Sequence, residues 1–245
     1  MSKKTARVRR EVDITDIDLE ETFNNNWLLN FNLRKPFYFN PAHQQFYDCI
    51  KNKDTKMAFV DGPAGTMKTY IAVYSALELI KNKEFEKLIY IRSIAESAEK
   101  SLGSLPGEID DKFSPYAMPL IEKVREVSND STCNMLKQKG VIEAIPVNFV
   151  RGLTFNNAIV IVDESQNLSR GELTTILTRF GRDSKYIICG DCKQADIGTK
   201  SGFKDIFTRF DTEKSVDNNI HAFKFGTSEI VRSKILRYIC SVLEA

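Results

Sequence analysis

The chain has 245 residues, enough for one substantial hydrophobic core and a small added lobe. Apolar residues at 42%, charged residues at 28% and a net charge of +2 are ordinary for a globular protein, and they neither demand nor exclude a nucleic-acid partner. No apolar run approaches the roughly 18 residues of a membrane span and the polar start is no secretory signal, so a cytoplasmic protein without membrane contact is expected.

Residues 1–35 open with Lys3, Lys4, Arg7, Arg9 and Arg10 and turn acidic from Asp13 to Glu21, with little periodicity. This reads as a mobile arm, with a single domain over 36–245. A helical pattern follows Asn40-Pro41 through Phe46, Tyr47 and Ile50. On it, Gln44 is a candidate for pairing with the adenine edge, which offers both a donor and an acceptor.

Met57-Ala58-Phe59-Val60 has the length of a buried strand. It runs into Gly62-Pro63-Ala64-Gly65-Thr66-Met67-Lys68-Thr69, and an apolar stripe at helical spacing begins at Ile71. Strand, tight turn and helix make a phosphate-binding loop, in which backbone N–H groups and the positive helix end face a polyphosphate. Lys68 is placed for the β- and γ-phosphates and Thr69 for Mg²⁺. Met67 stands where the Walker A pattern has its second glycine, and a side chain there costs about 1–2 kcal/mol if φ is positive.

A second strand, Lys87–Ile91, ends at Arg92, placing that arginine on the ligand edge of an open sheet. The passage Leu102 to Gly107 and Ser114-Pro115-Tyr116 reads as an inserted loop, followed by a charged helix over 119–139 broken near Asn129-Asp130. Val141–Ile145 is a third strand and Arg151-Gly152-Leu153-Thr154 a turn. Ala158–Val162 has the continuous apolar form of a central parallel strand, closed by Asp163 and Glu164. Two acids at a buried strand end call for a partner, which fits a Walker B pair: Asp163 for Mg²⁺, Glu164 for the attacking water.

A helix through Leu173 and Phe180 leads to strand Lys185–Cys189 and to Gly190-Asp191, with Gln194 placed to sense a γ-phosphate. Cys189 and Cys192 have thiol-redox spacing, but five scattered cysteines form no disulfide framework. A sixth strand, His221–Phe225, precedes a helix capped by Ser228, with Arg232 on its first turn.

This ordered set resembles the PhoH family of ATPases, relatives of superfamily 1 helicases, over roughly residues 40–240. The matching pieces are Gln44-x-x-Tyr47, the phosphate loop, Leu102-Gly103-x-Leu105-Pro106-Gly107, Arg151-Gly152-x-Thr154, Asp163-Glu164-Ser165-Gln166-Asn167, Thr178-Arg179-x-Gly181, Gly190-Asp191-x-x-Gln194, Ser201-Gly202 and Ser228-Glu229-x-Val231-Arg232. The resemblance implies an α/β RecA-like P-loop NTPase core, a mostly parallel sheet flanked by helices, that binds ATP with Mg²⁺ and acts with RNA or single-stranded DNA. By position it assigns Gln44 to adenine, Gly65, Lys68 and Thr69 to phosphate and Mg²⁺, Glu164 to water and Gln194 to the γ-phosphate. The family usually has proline after the position of Arg92, where this chain has Ser93.

One such core implies a homo-oligomer, a ring in which Arg179 or Arg232 enters the neighbour's site, because an arginine supplied in trans stabilises a transferring phosphoryl group. The alternative is a nucleotide-gated binding module with little hydrolysis, favoured by Met67. Arg92, Lys100, Lys112 and Arg151 are candidate nucleic-acid phosphate contacts, with Phe113 and Tyr116 as stacking residues.

Overall fold

The structure, a computed structural model, describes residues 31–34, 39–93, 109–231 and positions 235, 238, 239 and 242, with the backbone alone at 109–115. These belong to one compact unit that begins at Phe31, five residues before the expected boundary. Phe31 is fully buried, and the Arg34 amide donates to the Val127 carbonyl at 2.8 Å. The remainder of the expected arm lies outside the described residues.

Six strands form the sheet: β1 (Met57–Asp61), β2 (Lys87–Arg92), β3 (Ile142–Pro146), β4 (Ala158–Asp163), β5 (Lys185–Gly190) and β6 (Ile220–Lys224). Their order is β3-β2-β4-β5-β1-β6 and every pairing is parallel. Parallel pairing demands crossovers that cover both faces, so β4 and β5 are buried along their whole length, as their unbroken apolar runs require. Among the described residues the continuous helices are α1 (Pro41–Lys51), α2 (Lys68–Lys81), α3 (Ile109–Val127), α4 (Asp130–Gln138), α5 (Arg170–Leu177), α6 (Phe203–Phe210) and α7 (Glu213–Asp217).

Strand alternation divides the core. Ile89, Ile91, Val160 and Val162 join Leu173 and Phe203 of α5 and α6 in one apolar cluster. The intervening residues, among them Tyr90, Arg92 and Asp163, therefore point to the opposite face, against which α2 packs.

Helix α3 starts ten residues earlier than expected and spans both Pro115 and Pro119. A proline inside a helix removes a backbone bond and costs about 3 kcal/mol, but Leu120, Val124 and Val127 bury one face of this helix. The break at Asn129 is where the sequence placed it: its side chain accepts from the Thr132 amide and caps α4.

At the carboxyl end of α1, buried Lys185 donates to the Ile50 and Asn52 carbonyls, both at 2.6 Å. Burial lowers its pKa to about 8. Replacing Lys185 with Met strands the buried Ile50 carbonyl and frees that of exposed Asn52, and should lower stability by about 2 kcal/mol, read as a reduced urea midpoint with an unchanged slope.

Candidate functional site

The turn after β1 is built by close approach and positive φ. A Cβ at Gly62 would lie 2.7 Å from Cβ of Phe225, so only glycine fits between β1 and the chain after β6. Gly65 has φ 85°, and Met67 has φ 63° and ψ 14°. Met67 thus takes the left-handed conformation that the missing glycine would adopt freely. Three contacts hold it there. Thr66 Oγ1 donates to the Pro63 carbonyl at 2.8 Å, His43 bonds the Thr66 carbonyl at 3.1 Å, and the Val231 amide donates to the Gly65 carbonyl at 3.2 Å.

His43 is fully buried on the face of α1 shared with Phe46 and Ile50. Its Nδ1 accepts from the Asn40 amide at 3.4 Å, which places the proton on Nε2 for donation to Thr66. Gln44, one residue on, is rotated by about 100° around the helix. It lies on the outer face and donates to Asp48 at 2.8 Å, away from the loop. The α1 side chain that touches the phosphate loop is therefore His43.

Lys68 opens α2 and its Nζ donates to the carbonyls of Gly62 at 2.5 Å and Pro63 at 3.0 Å. From the next position Thr69 Oγ1 donates to Asp163 Oδ1 at 2.8 Å, and the Tyr90 hydroxyl donates to Asp163 Oδ2 at 2.5 Å. Asp163 is buried, so its charge is compensated by these two hydroxyls and by its open side. Glu164 follows with φ 50°, a second non-glycine in the left-handed region, and accepts from Gln166 Nε2 at 2.6 Å. Gln166 in turn accepts from the Asp191 amide at 3.1 Å, tying the end of β4 to the end of β5.

These groups share one cavity of about 640 Å³. Ala64–Thr69, Asp163, Glu164, Gln166 and Gln194 line it, together with Arg34, Arg92 and Val231. Gly62 and Pro63 form the loop behind it. Sequence reading missed His43, Tyr90, Gln166 and Arg34. Only Gln166 carried a signal, as part of the motif that follows Asp163.

Asp163 and Thr69 offer hard oxygen donors suited to Mg²⁺. Among the described residues no three His, Cys, Asp or Glu side chains converge to hold an ion by themselves, so an ion here would complete its shell with phosphate and water.

Arg179 lies elsewhere, beside Tyr186 at the amino end of β5, and does not line this cavity. Arg232, Lys100 and the side chains of Lys112 and Phe113 lie outside the described residues. Tyr116 is half-buried, and Arg151 is exposed beside a separate cleft of about 260 Å³ lined also by Val147, Asn148, Glu172 and Thr175. The cysteine pair is not a poised redox couple. Burial raises both thiols, Cys189 strongly and Cys192 to about 12, where Asp61 adds to the effect.

The chain matches the profile of the PhoH-like protein family over residues 39–244. It is 35% identical over 206 residues to a PhoH-like protein of Bacillus subtilis, covering 83% of this chain and 61% of that one. Protein PhoH of Escherichia coli K12 is 34% identical over 200 residues, covering 80% of this chain and 54% of the relative. The chain thus spans between half and two-thirds of the length of these relatives. Among solved structures, the large terminase of a thermophilic bacteriophage, in complex with ADP, aligns with a TM-score of 0.46 and 12% identity, over 83% of this chain and 50% of the terminase. Pif1 helicase from Candida albicans aligns with a TM-score of 0.36 and 12% identity, over 78% and 40%.

The geometry around His43 predicts an acid-sensitive loop. Burial, opposed by the Thr66 bond and by Glu229, lowers its pKa below the ordinary 6.5. Between that lowered value and 6.5 the unfolded chain binds a proton that the folded chain refuses. The stabilisation is therefore complete above 6.5 and is lost as pH falls through the folded value. Melting temperature followed from about pH 8 to pH 5 should drop on the acid side, and His43→Gln should flatten that drop while lowering stability at neutral pH.

Proposed function

The chain belongs to the PhoH-like protein family, and from that premise we propose that it is a Mg²⁺-dependent ATPase whose nucleotide occupies the cavity between β1 and β4. The carrying observation is the 2.8 Å bond from Thr69 to Asp163, which joins the phosphate loop to the acidic strand end. A threonine that gives its proton to Asp163 keeps its lone pairs for an ion, and the two groups together would hold Mg²⁺. When bound, the ion neutralises charge on the β- and γ-phosphate oxygens.

Loop amides and the amino end of α2 then hold the phosphates, and Lys68 exchanges the Gly62 and Pro63 carbonyls for phosphate oxygens. Glu164 orients the water that attacks the γ-phosphorus as the bond to the β-phosphate oxygen breaks. Gln166 keeps Glu164 aimed through its second bond to the Asp191 amide, and Gln194 senses the γ-phosphate from the same wall.

Coupling to RNA or single-stranded DNA is the reading that best uses Arg151. The turn around it is anchored by buried Val147, Val150 and Phe155, and it carries Phe149, 55% exposed, two residues before the arginine. An aromatic ring beside a cation on a firm loop suits stacking plus phosphate contact. Self-association into a ring is supported by the final segment, where Ile235, Tyr238, Ile239 and Val242 are exposed at helical spacing. An arginine in trans, Arg232 or Arg179, completes this reading.

Phosphate release measured with and without single-stranded RNA tests the set. Stimulated turnover should fall at least a hundredfold in Glu164→Gln, and Arg151→Ala should lose the stimulation while keeping the basal rate. The rate per chain should rise with chain concentration if the arginine comes from a neighbour. Absence of Mg²⁺-dependent ATP binding would overturn the whole proposal.

The second reading, a nucleotide-gated clamp with little turnover, is favoured by the strained backbone of Met67. If that strain limits hydrolysis, Met67→Gly should stabilise the protein by about 1 kcal/mol and raise turnover several-fold. Unchanged turnover beside a raised melting temperature would show that the methionine is merely tolerated.

A further inference from the structure

We propose that Tyr90, a residue outside every motif of the nucleotide site, is a positioning residue for Asp163 and sets the metal response of the cavity. The role rests on the ATP reading above. In register, Tyr90 pairs with Ile161 and Arg92 with Asp163, so Asp163 is the diagonal neighbour of Tyr90 on the same sheet face. A long side chain is needed to reach across that diagonal, and the phenol does so.

Tyr90 is 1% exposed and its ring lies in the layer under α2, leaving its hydroxyl one acceptor, Asp163 Oδ2 at 2.5 Å. The phenol is the donor in this bond, since an ionised carboxylate can only accept. Thr69 takes the other oxygen at 2.8 Å. With each carboxylate oxygen fixed by one hydroxyl, Asp163 is locked in a single orientation before any nucleotide arrives. Asp163 lines the cavity, and its remaining lone pairs are left for a metal ion, for metal-bound water or for a neighbouring donor.

A hydrophobic residue would fill the same core position equally well. The hydroxyl adds a donor to buried Asp163 and, with Thr69 on the other oxygen, fixes its orientation. Without it, Oδ2 is free to turn towards the cavity, and the preorganised arrangement becomes one of several.

Tyr90→Phe removes one oxygen and leaves the ring. The test titrates Mg²⁺ into protein bearing a fluorescent ATP analogue, starting in EDTA, for the wild type, Tyr90→Phe, Asp163→Asn and the double variant, with melting temperatures of the nucleotide-free proteins alongside. Nucleotide affinity in EDTA should stay within about twofold in Tyr90→Phe, while the Mg²⁺ concentration for half-maximal tightening rises about tenfold. In the Asp163→Asn background the tyrosine substitution should add less than about twofold, since both changes act through one carboxylate. A Mg²⁺ midpoint in Tyr90→Phe equal to wild type, or full additivity in the double variant, overturns the positioning role. So does a midpoint shift matched by an equal loss of affinity in EDTA, the mark of general loosening. Wild-type protein that binds the analogue without any Mg²⁺ effect would instead overturn the ATP reading, and the Tyr90 role with it.

Discussion

The hydrogen bond from Thr69 to Asp163 is the constraint on which the rest of the site depends, because it closes a gap that the sheet leaves open. Thr69 follows β1 and Asp163 ends β4, and these strands are not neighbours: β5 runs between them. The intervening strand places Cys189, Gly190 and Asp191 along the floor of the cavity, between the phosphate loop and the acids. That is why Gln166 can reach the Asp191 amide.

Two strained residues frame this bond, and each is held by contacts made elsewhere. Met67 sits at positive φ where the loop turns into α2, and Glu164 sits at positive φ where β4 ends. Non-glycine residues adopt that region at a cost of about 1–2 kcal/mol, and they persist where surrounding structure dictates the backbone. Around Met67 the dictating contacts come from distant segments, His43 of α1 and Val231 after β6. Asn40 Nδ2 also donates to Glu229 at 3.2 Å, so the motif containing Ser228, Glu229 and Val231 latches α1 and the phosphate loop together. A change in the loop on binding phosphate would be felt at both of these anchors.

Beyond the motifs the cavity is lined by a mixed set of charges, Arg34, Arg92 and Lys123 with Glu122 and Glu126. Arg34 and Arg92 both line the cavity, the first from the segment entering α1 and the second from the end of β2. Neither has an ion-pair partner among the described residues. Arg92 therefore lines the cavity beside the loop, while Arg151, grouped with it in the sequence reading, stands on a separate exposed loop.

The amino-acid sequence by itself determined the elements and which polar residues stand at their ends. All six strands were legible within about a residue at each end, because a buried parallel strand must be an unbroken apolar run. That the loop, Asp163, Glu164 and Gln194 would meet in one cavity was legible because they sit at or just beyond strand ends marked by glycine or paired acids. Tertiary structure alone decided strand order, and with it the place of β5. It also decided which side chains of α1 and β2 reach the site. A step of one residue turns a helix by about 100°, which is the difference between exposed Gln44 and buried His43. Tyr90 looked like another core residue, since apolar periodicity encodes which face is buried and says nothing about which strand lies alongside. Its hydroxyl acquires meaning only when the parallel register sets Asp163 on the diagonal, and that register depends on crossovers far away in the chain.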